Sequence, residues 1–165
     1  MKIFNATQFG IVSLCLMAIA ACTPNYVNTE DLGAPATADE ITSHYSGNSI
    51  RYAQEHGGPL NTEAYFAPDG TYKLVFLDDP IISLGTWQVG TGLLPTLNIE
   101  ADDYLVNGGT VDRRSNGVQS FTIYIQGDGG ANADMLGGGN FDQPRPVHGV
   151  RSEGRWNALA RQAGL

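Results

Sequence analysis

Residues 61–76 read NTEAYFAPDGTYKLVF. Two runs suited to β-strands, NTEAYF (61–66) and TYKLVF (71–76), flank Ala67-Pro68-Asp69-Gly70. Pro68 presets its own φ, Asp69 can bond its own backbone two residues on, and Gly70 tolerates a left-handed conformation. Together they specify a β-hairpin. Side chains alternate along a strand, so Tyr72, Leu74 and Phe76 share one face. Lys73 and Val75 take the other.

The same reading extends outward. NSIRYA (48–53) is a strand broken by QEHGGPL. LDDP turns the chain into IISLGTWQVG (81–90), a strand kinked at Gly85 with Trp87 and Val89 pointing the same way. Strands are expected over Leu94–Glu100 and Asp103–Asn107, with connections at Asn107-Gly108-Gly109 and Ser115-Asn116-Gly117. In VQSFTIYIQG (118–127), Phe121, Ile123 and Ile125 line one face, and Thr122 and Tyr124 the other. DGGANADMLGGGNFDQPRPVHG then loses all period and reads as a long Gly/Pro-rich loop. The expected fold is all-β and mainly antiparallel, a small barrel or sandwich of about seven to eight strands. Too few helical segments exist for βαβ units.

Two short helices complete the pattern. TADEITSHYSG carries Thr37 followed three residues later by Glu40, a capping box. Ile41, His44 and Tyr45 share a helical face, and Gly47 can end the helix. This helix would serve as a lid or plug. RSEGRWNALARQAGL at the other end supports a weak helix with Trp156, Leu159 and Ala160 on one side, docking loosely.

The first residues carry a different message. Lys2 is the only charge before Glu30, and the apolar run Phe9–Ala21 is shorter than the roughly 20 residues a spanning helix needs. It reads as a signal peptide. Its last residues, Ile19-Ala20-Ala21 followed by Cys22, resemble a bacterial lipobox. The resemblance implies cleavage before Cys22, its lipidation, and a chain of residues 22–165 held to a membrane by acyl chains. Thr23 in place of Asp implies sorting to the outer membrane. The organisation expected is a signal over 1–21, a tether over 22–36, a β-rich domain over 37–127, and a loop with a weak helix over 128–165. Cys15 would leave with the signal, so Cys22 remains alone and no intramolecular disulfide forms.

The formal charge is -8 for the whole sequence and becomes -9 once Lys2 is lost. Such acidity disfavours nucleic acid and anionic headgroups as partners.

SGNSIRY, YFAPDGTYKL and LGTWQV, within residues 40–90, resemble a group of small exported proteobacterial proteins of unknown function. These are described as lipocalin-like or as small β-barrels. The resemblance implies a fold and a location, and no established reaction. Where such proteins continue with a cysteine-containing strand pair, this chain has LLPTLNIEADDYLV.

Catalytic and metal chemistry find little support. His44, His56 and His148 lack metal-ligand spacing. Asp128, Asp134 and Asp142 lie in the Gly-rich region without a calcium-loop pattern. No serine sits in a nucleophile elbow, and neither GDGG nor LGGGN continues as a phosphate loop. Asp78-Asp79 and Asp102-Asp103 are adjacent pairs, which a strand turns to opposite faces. The reading is therefore no enzyme, no cofactor and no metal.

Arg113 and Arg114 could grip a carboxylate or sugar acid, though a solvated hairpin tip is the simpler role. Trp87 and Tyr124, with Tyr65, Tyr72 and Phe121, could line a cavity, though a small barrel is often filled by such side chains. The function expected is a non-catalytic envelope lipoprotein that binds another envelope protein or a surface polymer, as an accessory subunit of a larger complex. The alternatives are a lipocalin-like carrier of a small hydrophobic ligand, which requires an interior cavity, and an inhibitor of an exported hydrolase.

Overall fold

The computed structural model describes residues 32–54, 61–136 and 140–165. It is mainly antiparallel β, with nine strands in one sheet and two helices. In chain order these are α1 (Ala38–Tyr45), β1 (Asn48–Gln54), β2 (Thr62–Phe66), β3 (Thr71–Phe76), β4 (Ile81–Gly90), β5 (Thr96–Asn107), β6 (Thr110–Ile125), β7 (Ala131–Met135), β8 (Asn140–Gln143), β9 (Val147–His148) and α2 (Glu153–Ala163). Strands β2 to β8 lie side by side in sequence order. β1 pairs with β2 through Asn48–Tyr52 and with β8 through Ala53 and Gln54. It also takes β9 at Asn48 and Ser49.

The hairpin at 61–76 forms as its turn chemistry dictates. Gly70 adopts φ +87°, and Asp69 accepts from the Thr71 N–H at 2.9 Å. The capping box also forms. Thr37 Oγ1 accepts from Glu40 N–H at 3.3 Å, while the Glu40 carboxylate accepts from Thr37 N–H at 2.8 Å.

Three expectations are corrected. Residues 96–107 make one strand rather than two, and Ser115-Asn116-Gly117 is no turn, because β6 runs through it. The register moves from Glu100↔Val118 to Asp102↔Ser115, so β6 carries one extra residue there, a bulge that Gly117 permits with φ +62°. The supposed loop after 127 supplies β7, β8 and β9, so the sheet extends past that boundary. Short strands built from Ala, Asn and Asp give weak periodicity, and ladder partners on both sides stabilise them instead.

The two faces of the sheet pack differently. One face gathers Tyr52, Phe66, Tyr72, Trp87, Phe121 and Ile123, and α1 seals this core at one end with Ile41 and Tyr45. The other face packs Val75, Ile82, Val106 and Tyr104 against Trp156, Leu159 and Ala160 of α2. So α2 is docked, not loose. Arg155 also donates to the carbonyls of Phe76 and Asp79, both at 2.9 Å. The Lys73 ammonium lies 4.5 Å from the centre of a Trp156 ring.

Antiparallel order gives the first face two distinct ends. The β1 start, β4 end, β5 start and β6 end lie beside α1. Here Ala36 donates its N–H to the Ile123 carbonyl at 2.7 Å, so the chain enters the domain at this end. The β3 end, β4 start and β5 end define the opposite one.

Candidate functional site

At the end away from α1 the core is not filled. Tyr52, Thr62, Leu74, Ile99, Phe121 and Phe141 line a partly open chamber of about 110 Å³. These residues come from β1, β2, β3, β5, β6 and β8, so strands far apart in the ladder face one another across it. The sheet is therefore curled. Tyr72, Leu74, Phe76, Ile99 and Gln119 also line a second space of about 210 Å³. Ser83, Asp103 and Asn116 complete that outer chamber.

The inner chamber is chiefly aromatic and aliphatic, with few polar groups. The Tyr52 hydroxyl is buried and has no hydrogen-bond partner among the described residues. A buried polar atom without a partner is uncommon and costly. Burial pushes the Tyr52 and Tyr72 phenols above their usual range, so both stay neutral protein groups.

Asp103 is the one acidic side chain among the described residues of the outer chamber. Parity places it on the core face, following Leu97, Ile99 and Ala101 along β5. It accepts from Ser83 Oγ at 2.5 Å. Asp102 points the other way and binds Arg113, with N–O distances of 2.5 and 3.0 Å.

The residues expected to bind are dispersed. Arg113 and Arg114 lie within β6 rather than at a hairpin tip, and both are exposed. Arg114 faces Asp103 across the ladder, yet its guanidinium contacts Asp112 at 3.1 Å. Trp87 sits in the core towards α1, donating Nε1–H to the Ala67 carbonyl at 2.8 Å and meeting Phe66 edge-on. Tyr124 is buried on the opposite face of β6 from Phe121 and Ile123. Neither aromatic lines the chambers. Cys15, Cys22 and His56 lie outside the described residues. Tyr72 and Phe121 do line the inner chamber.

The other candidates occupy structural positions. His44 lies on the buried side of α1, and burial lowers its pKa. His148 approaches Asn48 Oδ1 at 3.3 Å. Asp128 accepts from the Gly130 N–H at 2.9 Å, and Asp78 from Asn61 Nδ2 at 2.8 Å. Among the described residues no three His, Cys, Asp or Glu side chains gather as a metal ion would require. No described helix is long and apolar enough to cross a membrane.

Reading β5 as two strands hid the site. A break between Glu100 and Asp103 makes Asp103 the start of a new strand, whereas in β5 it is the next inward position after Ala101. Tyr52, Thr62 and Gln119 carried no signal of their own, because their importance comes from which strands the curl brings together. No protein-family model, curated protein or solved structure matches the chain.

Proposed function

We propose that the curled sheet closes on itself at β1 as a small β-barrel cup, and that the cup carries a small, largely apolar molecule. The observation that supports this is the pair of adjoining chambers lined by Tyr72, Leu74, Phe76, Ile99 and Gln119. An apolar cavity of about 150 Å³ accommodates a benzene ring. The first space alone is smaller, at about 110 Å³, but joined to the second, at about 210 Å³, it has room for one aromatic ring or a short alkyl chain with a polar head. The cup is held in a bacterial cell envelope, most consistently at the outer membrane, through lipid on Cys22.

Two experiments test this. Benzyl alcohol titrated into the protein should shift the methyl resonances of Leu74 and Ile99, and Leu74→Trp, which fills the chamber, should abolish the shift. Unchanged resonances at saturating ligand would remove the carrier reading. Replacing Cys22 with Ala should release the protein from the membrane fraction of the producing cell. Retention there would remove the anchor.

A second role, capture of an envelope partner, is favoured by β6. Residues 110–118 are exposed throughout, and this stretch pairs only with β5 among the described residues. An open strand edge is a template for an added strand. Crosslinking from position 114 in intact envelopes should then capture a protein, whereas crosslinking from position 161 on α2 should not.

A further inference from the structure

The outer chamber has a charge character that narrows the ligand class, if the cup reading holds. Among the described residues that line the two spaces, Asp103 is the only acidic or basic one. Ser83 donates to one of its oxygens. Gln119 and Asn116 add amide groups, which both donate and accept, to the same wall. Tyr72 and Phe76 border both spaces and present aromatic rings beside the carboxylate. A carboxylate that shares its chamber with aromatic rings suits an organic cation, since ring faces also attract positive charge.

We propose that the cup selects small amines: the apolar body fills the inner chamber and a protonated ammonium pairs with Asp103. A ligand carboxylate would instead meet Asp103 at close range with no cation among the described lining residues to offset it. Arg114 is the nearest candidate for that task by register, but it is turned to Asp112 and is three-quarters exposed, where ion pairs contribute little. A neutral alcohol loses only the charge pairing, because its body makes the same contacts in the inner chamber.

Benzylamine, benzyl alcohol and benzoate share one ring and differ in the charge of the head, which separates these cases. Calorimetric titration of the unaltered chain at pH 7 should show benzylamine binding at least tenfold tighter than either of the others. Asp103→Asn should erase that advantage and leave benzyl alcohol within about twofold of its original affinity. Thermal unfolding by circular dichroism would establish that the variant is folded, and the three-ligand comparison itself needs no variant. Equal binding of amine and alcohol, or an amine preference that survives Asp103→Asn, overturns the proposal and leaves the cup standing. Tightest binding of benzoate, abolished by Arg114→Gln, overturns it in favour of anion capture. Failure of all three to bind overturns the cup as well.

Discussion

Gly85 on β4 lies directly opposite Ala101 on β5, so close that a Cβ at position 85 would fall 2.0 Å from the Glu100 carbonyl oxygen and 2.6 Å from Ala101 Cα. The obstacle is backbone, which cannot swing aside as a side-chain tip can. Gly85→Ala should therefore destabilise the fold by about 3 kcal/mol, at the upper end of what overpacking usually costs. Urea unfolding of the two chains measures it. A shift in midpoint equivalent to less than about 1 kcal/mol would show that the strands separate without penalty.

Burial lowers the pKa of His44, and its Nε2 has no partner among the described residues. The unfolded chain protonates this ring near its ordinary value, whereas the folded chain resists until lower pH. Stability is then complete above about pH 6.5 and falls as pH drops below it, by at most about 1.4 kcal/mol per unit. His44→Gln should flatten that part of the stability curve. An identical slope in the variant would assign the acid sensitivity to other groups.

Two buried phenols on the same face should respond oppositely to loss of their hydroxyls. Tyr45 donates to Gln143 Oε1 at 2.6 Å, and the other end of that amide already lacks a partner among the described residues. Tyr45→Phe strands the amide further and should cost about 1 to 3 kcal/mol. Tyr52→Phe removes a hydroxyl that lies beside the Tyr72 phenol but makes no well-formed hydrogen bond among the described residues, so stability should hold or rise by up to about 1 kcal/mol. Paired melting curves decide this, and a Tyr52→Phe loss as large as that of Tyr45→Phe would mean the Tyr52 hydroxyl is satisfied in solution.

The docking of α2 is equally open to measurement. Leu159 is buried against the outward face of the sheet. Leu159→Ala should cost about 2 to 3 kcal/mol, as for a core leucine. A change within about 0.5 kcal/mol would mean that the helix contributes nothing to the fold.

Strong local chemistry was legible in the sequence. Pro68-Asp69-Gly70 and the Thr37–Glu40 pair each act within four residues, and both formed as read. The alternation of Phe121, Ile123 and Ile125 also placed the core face of β6. What escaped depends on neighbours distant in sequence. Ala131, Asn132 and Ala133 have little strand preference of their own, and they become a strand because β6 and β8 offer ladders on either side. Gly117 looked like a turn because positive φ usually marks one, and only the partner strand reveals a bulge instead. The same limit hid the site, since no local pattern brings Asp103 and Phe76 into one chamber.

The chain joins the domain at Ala36, at the end that α1 seals, while the chambers open at the other. If Cys22 carries a lipid as proposed, the end beside α1 would be the one tied towards the bilayer, and the chambers would open away from it. Cargo would thus exchange with the water-filled space rather than by lateral diffusion out of the lipid. Delivery would be a handover between soluble encounters, and its rate would depend on collisions at the mouth rather than on the composition of the membrane beneath.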